Sequence, residues 1–120
     1  MKIVSLADIP EEGVSHDPQL RKKVMIRNGE FPHLRKFAQV RLAPGQVAHA
    51  HSHEDEYEVF LVEQGRGAVR CEGSEYQVTA GCCVVFEPAE IHELSNTGDE
   101  ELILTYFGLA ASAPNSAKGS

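Results

Sequence analysis

Residues 45–65 read GQVAHAHSHEDEYEVFLVEQG, and this stretch decides the fold class. It begins and ends on a glycine, carries histidines at the alternate positions His49, His51 and His53, and continues through an acidic run to Glu58. Side chains alternate between the two faces of a β-strand, so residues two apart share a face. The pattern therefore predicts a strand with three imidazoles on one face.

Glu58 shares its predicted strand face with Phe60 and Val62, which indicates that this face looks into a barrel. A buried carboxylate is costly unless positive charge compensates it, and a divalent cation would do so. An antiparallel barrel would bring His92, far along the chain, to the same place. Three neutral imidazoles and one carboxylate suit Mn, Fe, Co, Ni, Cu or Zn and fit Ca or Mg poorly. The alternative is that these histidines lie on a solvated strand face.

Turn sequences recur at short intervals on both sides of this stretch, for example Asn28-Gly29, Gly73-Ser74 and Thr97-Gly98-Asp99. The short segments between them are rich in Val, Ile, Phe, Tyr and Leu, and no long window keeps a helical period. This spacing predicts an all-β fold, and closure into a barrel would remove exposed sheet edges. The predicted strands are Val24–Arg27, Lys36–Leu42, Val47–His53, Tyr57–Glu63, Gly67–Cys71, Glu75–Thr79, Cys82–Glu87, His92–Asn96 and Glu101–Phe107, with Lys2–Leu6 as a further edge strand and Pro10 to Asp17 as a loop.

The spacing of the histidine stretch resembles the first motif of the cupin superfamily, G-x5-H-x-H-x3–4-E-x6-G. All five fixed positions are present, in the order Gly45, His51, His53, Glu58, Gly65. The second cupin motif, G-x5-P-x-G-x2-H-x3-N, is matched in spacing by Gly81, Glu87, Ala89, His92 and Asn96. Glu87 stands where proline is usual and Ala89 where glycine is usual, and we expect Pro88 to make the turn instead.

The resemblance to small single-domain bacterial cupins implies a double-stranded β-helix, also called a jelly-roll barrel. It implies one divalent transition metal per chain, with His51, His53, Glu58 and His92 as ligands. His49 lies outside the motif and is expected beside the site or at its rim, while His16 and His33 are expected to be solvated. We expect one barrel domain over residues 1–109 with its motif core at 45–96, and a disordered tail over 110–120.

Composition limits the function classes. The chain has 120 residues and a formal net charge of −7, which argues against nucleic acid as a partner. No apolar run is long enough to span a bilayer, and the N-terminus does not resemble a signal peptide, so a cytoplasmic location without membrane contact is expected. The three cysteines, Cys71, Cys82 and Cys83, are expected to be reduced and to act as small buried apolar residues.

The charges are distributed unevenly along the chain. Seven of the eleven Lys and Arg residues fall between Arg21 and Arg41, whereas from Glu54 onward there are thirteen acids and three bases. The basic segment is interpreted as the solvated outer face of a sheet. The alternatives are a basic rim that attracts an anionic substrate and a contact between charge-complementary subunits of a dimer.

Two functions follow from this pattern. The first is an enzyme that binds a small oxygen-bearing substrate at the metal, with dioxygenase-type or isomerase- or lyase-type chemistry. Its candidate acid–base residues are His49, Glu56, Tyr57 and Glu90. The second is a non-catalytic module that binds a sugar or a carboxylate through the metal. In both, the interior is expected to be narrow, with Phe60, Val62, Phe86 and Phe107 lining it.

A homodimer is also predicted. The segment from Lys2 to Asn28 precedes the barrel core and contains the strand-like Val24-Met25-Ile26. We expect this segment to pair with the sheet of a second subunit, because that pairing would cover an edge that is otherwise exposed.

Overall fold

The strands follow the alternating apolar pattern of the sequence. The structure, a computed structural model, describes residues 1–112. A 3₁₀ turn at Leu6–Asp8 comes first. Ten strands then follow within the described residues: β1 (Glu12–Val14), β2 (Asp17–Ile26), β3 (Leu34–Leu42), β4 (Val47–His51), β5 (Glu56–Gln64), β6 (Arg66–Cys71), β7 (Ser74–Thr79), β8 (Cys83–Phe86), β9 (His92–Asn96) and β10 (Leu102–Ala110).

These strands form two antiparallel sheets. The six-stranded sheet has the order β1-β2-β3-β10-β5-β8, and the four-stranded sheet has the order β4-β9-β6-β7. Strands distant in sequence lie side by side, since β10 pairs with both β3 and β5. The prediction of an all-β, double-stranded β-helix barrel of the jelly-roll type is confirmed.

The hydrophobic core lies between the sheets. Along β10 the residues Leu102, Leu104 and Tyr106 are buried, whereas Ile103 and Thr105 between them are partly exposed. Burying one large aliphatic side chain contributes roughly 1.5–3 kcal/mol. The core residues are Leu20, Ala38, Val40, Leu42, Phe60, Val62, Val69, Val78, Phe86, Leu94, Leu102, Leu104 and Tyr106.

The interior lining differs from the prediction at β10. Phe60, Val62 and Phe86 are buried, as predicted. The prediction for Phe107 is wrong, because Phe107 follows Tyr106 directly and therefore points to the outer face of the strand. Tyr106 is the aromatic residue that β10 contributes to the interior, and its ring stacks on Phe60 with the centroids 4.7 Å apart.

The N-terminal part also differs. No strand forms at Lys2–Leu6, whereas β1 lies inside the segment predicted as a loop, and β2 begins at Asp17 rather than Val24. The inward positions Leu20 and Val24 of β2 are separated by a lysine, so the apolar alternation is broken in the sequence. β2 pairs with β3 of the same chain. The predicted pairing with a second subunit stays a prediction.

At the C-terminus, β10 extends to Ala110, so the predicted tail begins too early. The remaining part of that prediction, over 113–120, lies outside the described residues.

The three cysteines are free, as expected; Cys71 and Cys82 are partly buried, whereas Cys83 is exposed, contrary to the expectation. No helix within the described residues has the length and hydropathy needed to cross a bilayer.

Candidate metal centre

Three of the four predicted ligands come together between the sheets. His51 on β4 is opposite His92 on β9, and their ring centroids are 4.5 Å apart. Glu58 projects from β5 of the other sheet toward them. One donor atom from each of these residues lies within 4.8 Å of the other two. Two imidazole nitrogens and a carboxylate oxygen at such separations could hold a metal ion.

The backbone fixes the orientation of both rings. Nδ1 of His51 lies 2.9 Å from the carbonyl oxygen of His49, and Nδ1 of His92 lies 3.0 Å from that of Glu90. A carbonyl accepts only, so each Nδ1 carries the hydrogen and donates it. In the neutral ring the lone pair is then on Nε2, the nitrogen available to a metal. In both residues this arrangement matches the tautomer that a metal-binding histidine adopts.

Glu58 is buried among positively charged and proton-donating groups. Its Oε1 lies 3.2 Å from His92 Nε2, and its Oε2 lies 3.3 Å from Lys36 Nζ and 3.5 Å from His53 Nε2. Burial alone would raise the pKa of this carboxyl. In the metal-free protein, a hydrogen bond from the imidazolium form of His92 and the charges of Lys36, His53 and His92 outweigh the burial and hold the pKa at about 2. Glu58 is therefore ionised at neutral pH.

His53, the fourth predicted ligand, lies just after the end of β4. Its ring centroid is 5.1 Å from that of His51 and 6.3 Å from that of His92. It borders the same cavity, but it does not belong to the group whose donors all lie within 4.8 Å of one another. The structure thus brings all four predicted residues to one place, with His53 at the edge of the cluster.

A backbone hydrogen bond joins the turn before His92 to the segment that follows β4. The backbone N–H of Ala89 donates to the carbonyl of His53 over 2.6 Å. Ala89 has φ 70°, a left-handed conformation that glycine adopts most easily, and it occupies the motif position where glycine is usual. The backbone N–H of Glu90 donates to the carbonyl of Glu87 over 3.2 Å, so Pro88 and Ala89 are the two central residues of the turn. The expectation that Pro88 makes this turn is confirmed, and Ala89 supplies its left-handed position. The hydrogen bond between Ala89 and His53 therefore connects the segment that carries His53 to the turn that leads into His92.

A β-bulge separates His49 from the other histidines. Four residues on β4, from Ala48 to His51, oppose three on β9, from Leu94 to His92. The extra residue breaks the alternation, so Ala48 and His51 both border the cavity. The expectation that His49 shares their face is wrong. Its side chain is 70% exposed and bonds to Asp17 outside the cavity, with Nδ1 3.1 Å from Oδ1.

The other candidate acid–base residues also lie away from the cavity lining. Glu56 is buried, and its Oε2 accepts a hydrogen bond of 3.0 Å from Lys36. It is the first residue of β5, whereas the predicted strand began at Tyr57 and left Glu56 in the preceding loop. Tyr57 points to the outer face of β5 and is 37% exposed. The carboxylate of Glu90 accepts from the backbone N–H of Glu87 over 2.7 Å and so closes the turn. None of these candidates borders the cavity that holds the cluster.

The cavity itself has a volume of about 180 Å³, the space of roughly six water molecules. The sequence reasoning missed four of its polar residues: His16, Lys22, Lys36 and Tyr106. His16 is exposed, as predicted, but its ring also lies 4.2 Å from that of His51. Lys22, Lys36 and Tyr106 lie on strands, and their spacing from apolar neighbours, such as Leu20 two residues before Lys22, could have indicated that they face inward.

Burial also changes the proton affinity of the cavity residues. It lowers the pKa of His51, and the charges of His92 and His16 act in the same direction, whereas the His49 carbonyl opposes them. A lowered pKa favours the neutral imidazole that a metal requires. Burial raises the pKa of Tyr106, and the charges of Glu58 and Glu56 raise it further. The Tyr106 phenol is therefore neutral and can donate a hydrogen bond.

Two facing antiparallel sheets with a histidine–carboxylate cluster between them define a small β-barrel protein whose interior could hold a metal ion. The family model of the cupin domain matches residues 38–108, more than half of the chain. The chain belongs to the cupin family.

Known proteins similar to this chain include an oxalate-binding protein from Thermotoga maritima, 32% identical over 68 residues. That match spans 57% of this chain and 56% of the relative, so it covers little more than half of the relative's length. Among solved structures, a predicted oxalate decarboxylase from the same organism superposes with a TM-score of 0.84 at 23% identity, covering 91% of this chain and 99% of the other. The cupin domain of Schizosaccharomyces pombe Cnp3 gives 0.79 at 16% identity, covering 96% and 78%.

Proposed function

We propose that this chain is a metal-dependent cupin that binds a small oxygen-bearing ligand at one divalent transition metal, Mn, Fe, Co, Ni, Cu or Zn. The proposed ligands are His51, His53, Glu58 and His92. The observation that carries the proposal is the convergence of Glu58 with two histidines whose Nδ1 atoms are both bonded to backbone carbonyls. Such outer bonds orient a ligating imidazole and raise its basicity.

The cavity residues would define how the ligand binds. A bound metal supplies a Lewis acid that polarises a ligand oxygen. The cavity of about 180 Å³ limits the ligand to a few non-hydrogen atoms. Phe60 and Tyr106 form one apolar wall, and His16 lies beside His51 at the exposed mouth. We propose that the protein is an enzyme of the oxidoreductase, isomerase or lyase type on such a small substrate.

The second candidate is a non-catalytic module that binds a sugar or a carboxylate. One observation favours it: His49, Glu56, Tyr57 and Glu90, the acid–base candidates, all lie away from the cavity lining. The similarity to an oxalate-binding protein supports a carboxylate as the ligand. Incubating the metal-loaded protein with oxalate and measuring formate and carbon dioxide separates the two, because binding without any product favours the module.

The metal centre is tested by metal analysis of protein purified without a chelating column. We expect close to one transition-metal ion per chain in the wild type, and a loss of nearly all of it in the double variant His51→Ala/His53→Ala, because two inner donors are removed. The variant His33→Ala/His49→Ala is the matched control, since it removes two exposed imidazoles. Full metal content in the first double variant would refute the proposed ligands.

A further inference from the structure

Lys22 occupies an unusual position on β2. It lies two residues after Leu20, which is 1% exposed in the core, and two before Val24, which packs against that core. Residues at this spacing share a strand face, so Lys22 belongs to the inward face of β2. It is half-buried and borders the cavity that holds His51, Glu58 and His92. A lysine ammonium therefore lies at the interior cavity.

Within the described residues, Lys22 forms no hydrogen bond or ion pair, in contrast to the other basic residues around it. Each of the other six Lys and Arg residues between Arg21 and Arg41 has a partner. The pairs are Arg21 with Glu11, Lys23 with the carbonyl of Leu6, Arg27 with Glu12, Arg35 with Asp55, Lys36 with Glu56 and Glu58, and Arg41 with Glu101. A half-buried ammonium normally has such a partner, because losing water without one is unfavourable.

In the described part of the chain, the carboxylates near the cavity pair with Lys36 and leave Lys22 without a counter-charge in contact. Its lining contains two lysines, Lys22 and Lys36, and one carboxylate, Glu58. Glu58 already contacts Lys36 and His92, so it is not free to serve Lys22. Burial lowers the pKa of Lys22, which Glu12 partly opposes, while Lys36 and Arg27 lower it further. With Glu56, which pairs with Lys36, the two lysines and two carboxylates sum to zero, so a bound divalent metal would leave the site with a net charge of +2.

Tyr106 adds a neutral donor to the same cavity. Its ring stacks on Phe60, and Lys36 Nζ lies 5.7 Å from the ring centroid. The phenol has no hydrogen-bond partner among residues 1–112. A metal-loaded cavity with excess positive charge and free donors is complementary to an anion that has several acceptor oxygens.

We infer that Lys22 binds a carboxylate of an anionic ligand whose other end faces the cluster of His51, Glu58 and His92. The site then selects small dicarboxylates over neutral sugars. This inference rests on the proposed metal-dependent function and assigns its ligand class. It also gives the basic segment a specific role, because one of its residues contacts the ligand while the others are neutralised within the chain.

The test is calorimetric titration of metal-loaded protein with oxalate, malonate and succinate, which differ in the spacing of their carboxylates, and with D-xylose as a neutral probe. We expect the wild type to bind at least one dicarboxylate more tightly than D-xylose. Lys22→Met keeps the aliphatic stem and removes the charge, and it should weaken the tightest dicarboxylate roughly tenfold or more. Lys22→Arg should recover most of that affinity.

Lys23→Met is the matched control, because it removes the same charge from the other face of β2. Its Nζ donates to the carbonyl of Leu6 and does not border the cavity. Equal weakening in Lys22→Met and Lys23→Met, unchanged affinity in Lys22→Met, or tighter binding of D-xylose than of every dicarboxylate would overturn the inference. The metal content of each variant is measured separately: a wild type that holds no metal contradicts the proposed function, whereas a normal metal content in Lys22→Met with unchanged dicarboxylate affinity contradicts only the role of Lys22.

Discussion

Glu58 lies within 3.5 Å of Lys36 Nζ, His53 Nε2 and His92 Nε2, so its charge is compensated by groups of the protein itself. The apolar neighbours Phe60 and Val62 predicted a buried carboxylate whose charge a divalent cation would compensate. The structure adds Lys36, whose Nζ lies 3.3 Å from Glu58 and 3.0 Å from Glu56. The need for compensation therefore does not by itself establish a metal. The orientation of the two histidines is the stronger argument.

This arrangement makes Glu58→Gln informative. Glutamine keeps the size of the side chain but removes the negative charge, so we expect the metal affinity to fall at least about tenfold. The metal-free variant should also be less stable than the wild type by about 1–3 kcal/mol, because Lys36 and His92 lose a charged partner. Competition against a chelator measures the first effect, and urea unfolding measures the second.

The control for that variant is Glu54→Gln. Glu54 is exposed in the loop before β5, so removing its charge should change stability by no more than about 0.5 kcal/mol. Glu56 is unsuitable as a control because it shares Lys36 with Glu58. If Glu54→Gln loses as much metal as Glu58→Gln, a general charge effect explains both and Glu58 is not a ligand.

The sequence identified the residues of the cluster but not those that surround them. His51, His53, Glu58 and His92 could be selected because their spacing within two short segments carries the information. Lys22, Lys36 and Tyr106 lie on three different strands, β2, β3 and β10. These three side chains come together only because the strands pair in a particular register, which places Tyr106, for example, opposite Ala38. Local alternation does not contain that register.

At the scale of single strands, β4 shows where simple alternation fails. A regular strand would place His49, His51 and His53 on one face. The bulge between Ala48 and His51 turns His49 outward, where its backbone N–H donates to Asp17 Oδ2 over 2.9 Å. A bulge inserts one residue without any change in composition, so the sequence pattern did not reveal it.

Asp17 is therefore expected to control the direction of His51. It is buried, and it also lies 3.1 Å from His49 Nδ1. Asp17→Ala removes both acceptor oxygens, so it should lower the free energy of unfolding by about 2 kcal/mol, as for a lost hydrogen bond to a charged group, and should weaken metal binding. His49→Ala keeps the backbone bond to Asp17 and removes only an exposed side chain, so its cost should stay below about 1 kcal/mol.

Urea unfolding and metal titration of the two variants separate the backbone contact from the side-chain contact. If His49→Ala weakens metal binding as much as Asp17→Ala does, the imidazole of His49 rather than the bulge supports the site. If neither variant changes metal affinity, the bulge does not position His51.

For the whole molecule, the all-β barrel of two sheets followed from the density of turns and short apolar segments, and β9 was predicted with its observed bounds, His92–Asn96. The N-terminal strands were not predicted well. Half of β2 is polar or charged, and β1 has only three residues, Glu12–Val14. Strand β1 pairs with β2, and β2 pairs with β3, and local sequence does not encode this pairing.

The contact between Glu58 and His92 joins the two sheets, since Glu58 belongs to the six-stranded sheet and His92 to the four-stranded sheet. Its loss in acid should therefore destabilise the whole barrel. The pKa of Glu58 is about 2 in the folded protein, against an ordinary 4.5. A carboxyl with a lowered folded pKa contributes stability that is present above pH 4.5 and is lost as the pH falls toward 2.

We predict that this loss amounts to about 3 kcal/mol in the metal-free protein, because each unit of pKa corresponds to about 1.4 kcal/mol. Urea unfolding of metal-free wild type and Glu58→Gln at several values between pH 5 and pH 2 measures it. The stability advantage of the wild type over the variant should shrink steadily across this range, since a glutamine does not titrate. Glu54→Gln should follow the wild type. A difference between wild type and Glu58→Gln that is the same at pH 5 and pH 2 would show that the Glu58 carboxylate does not couple the two sheets.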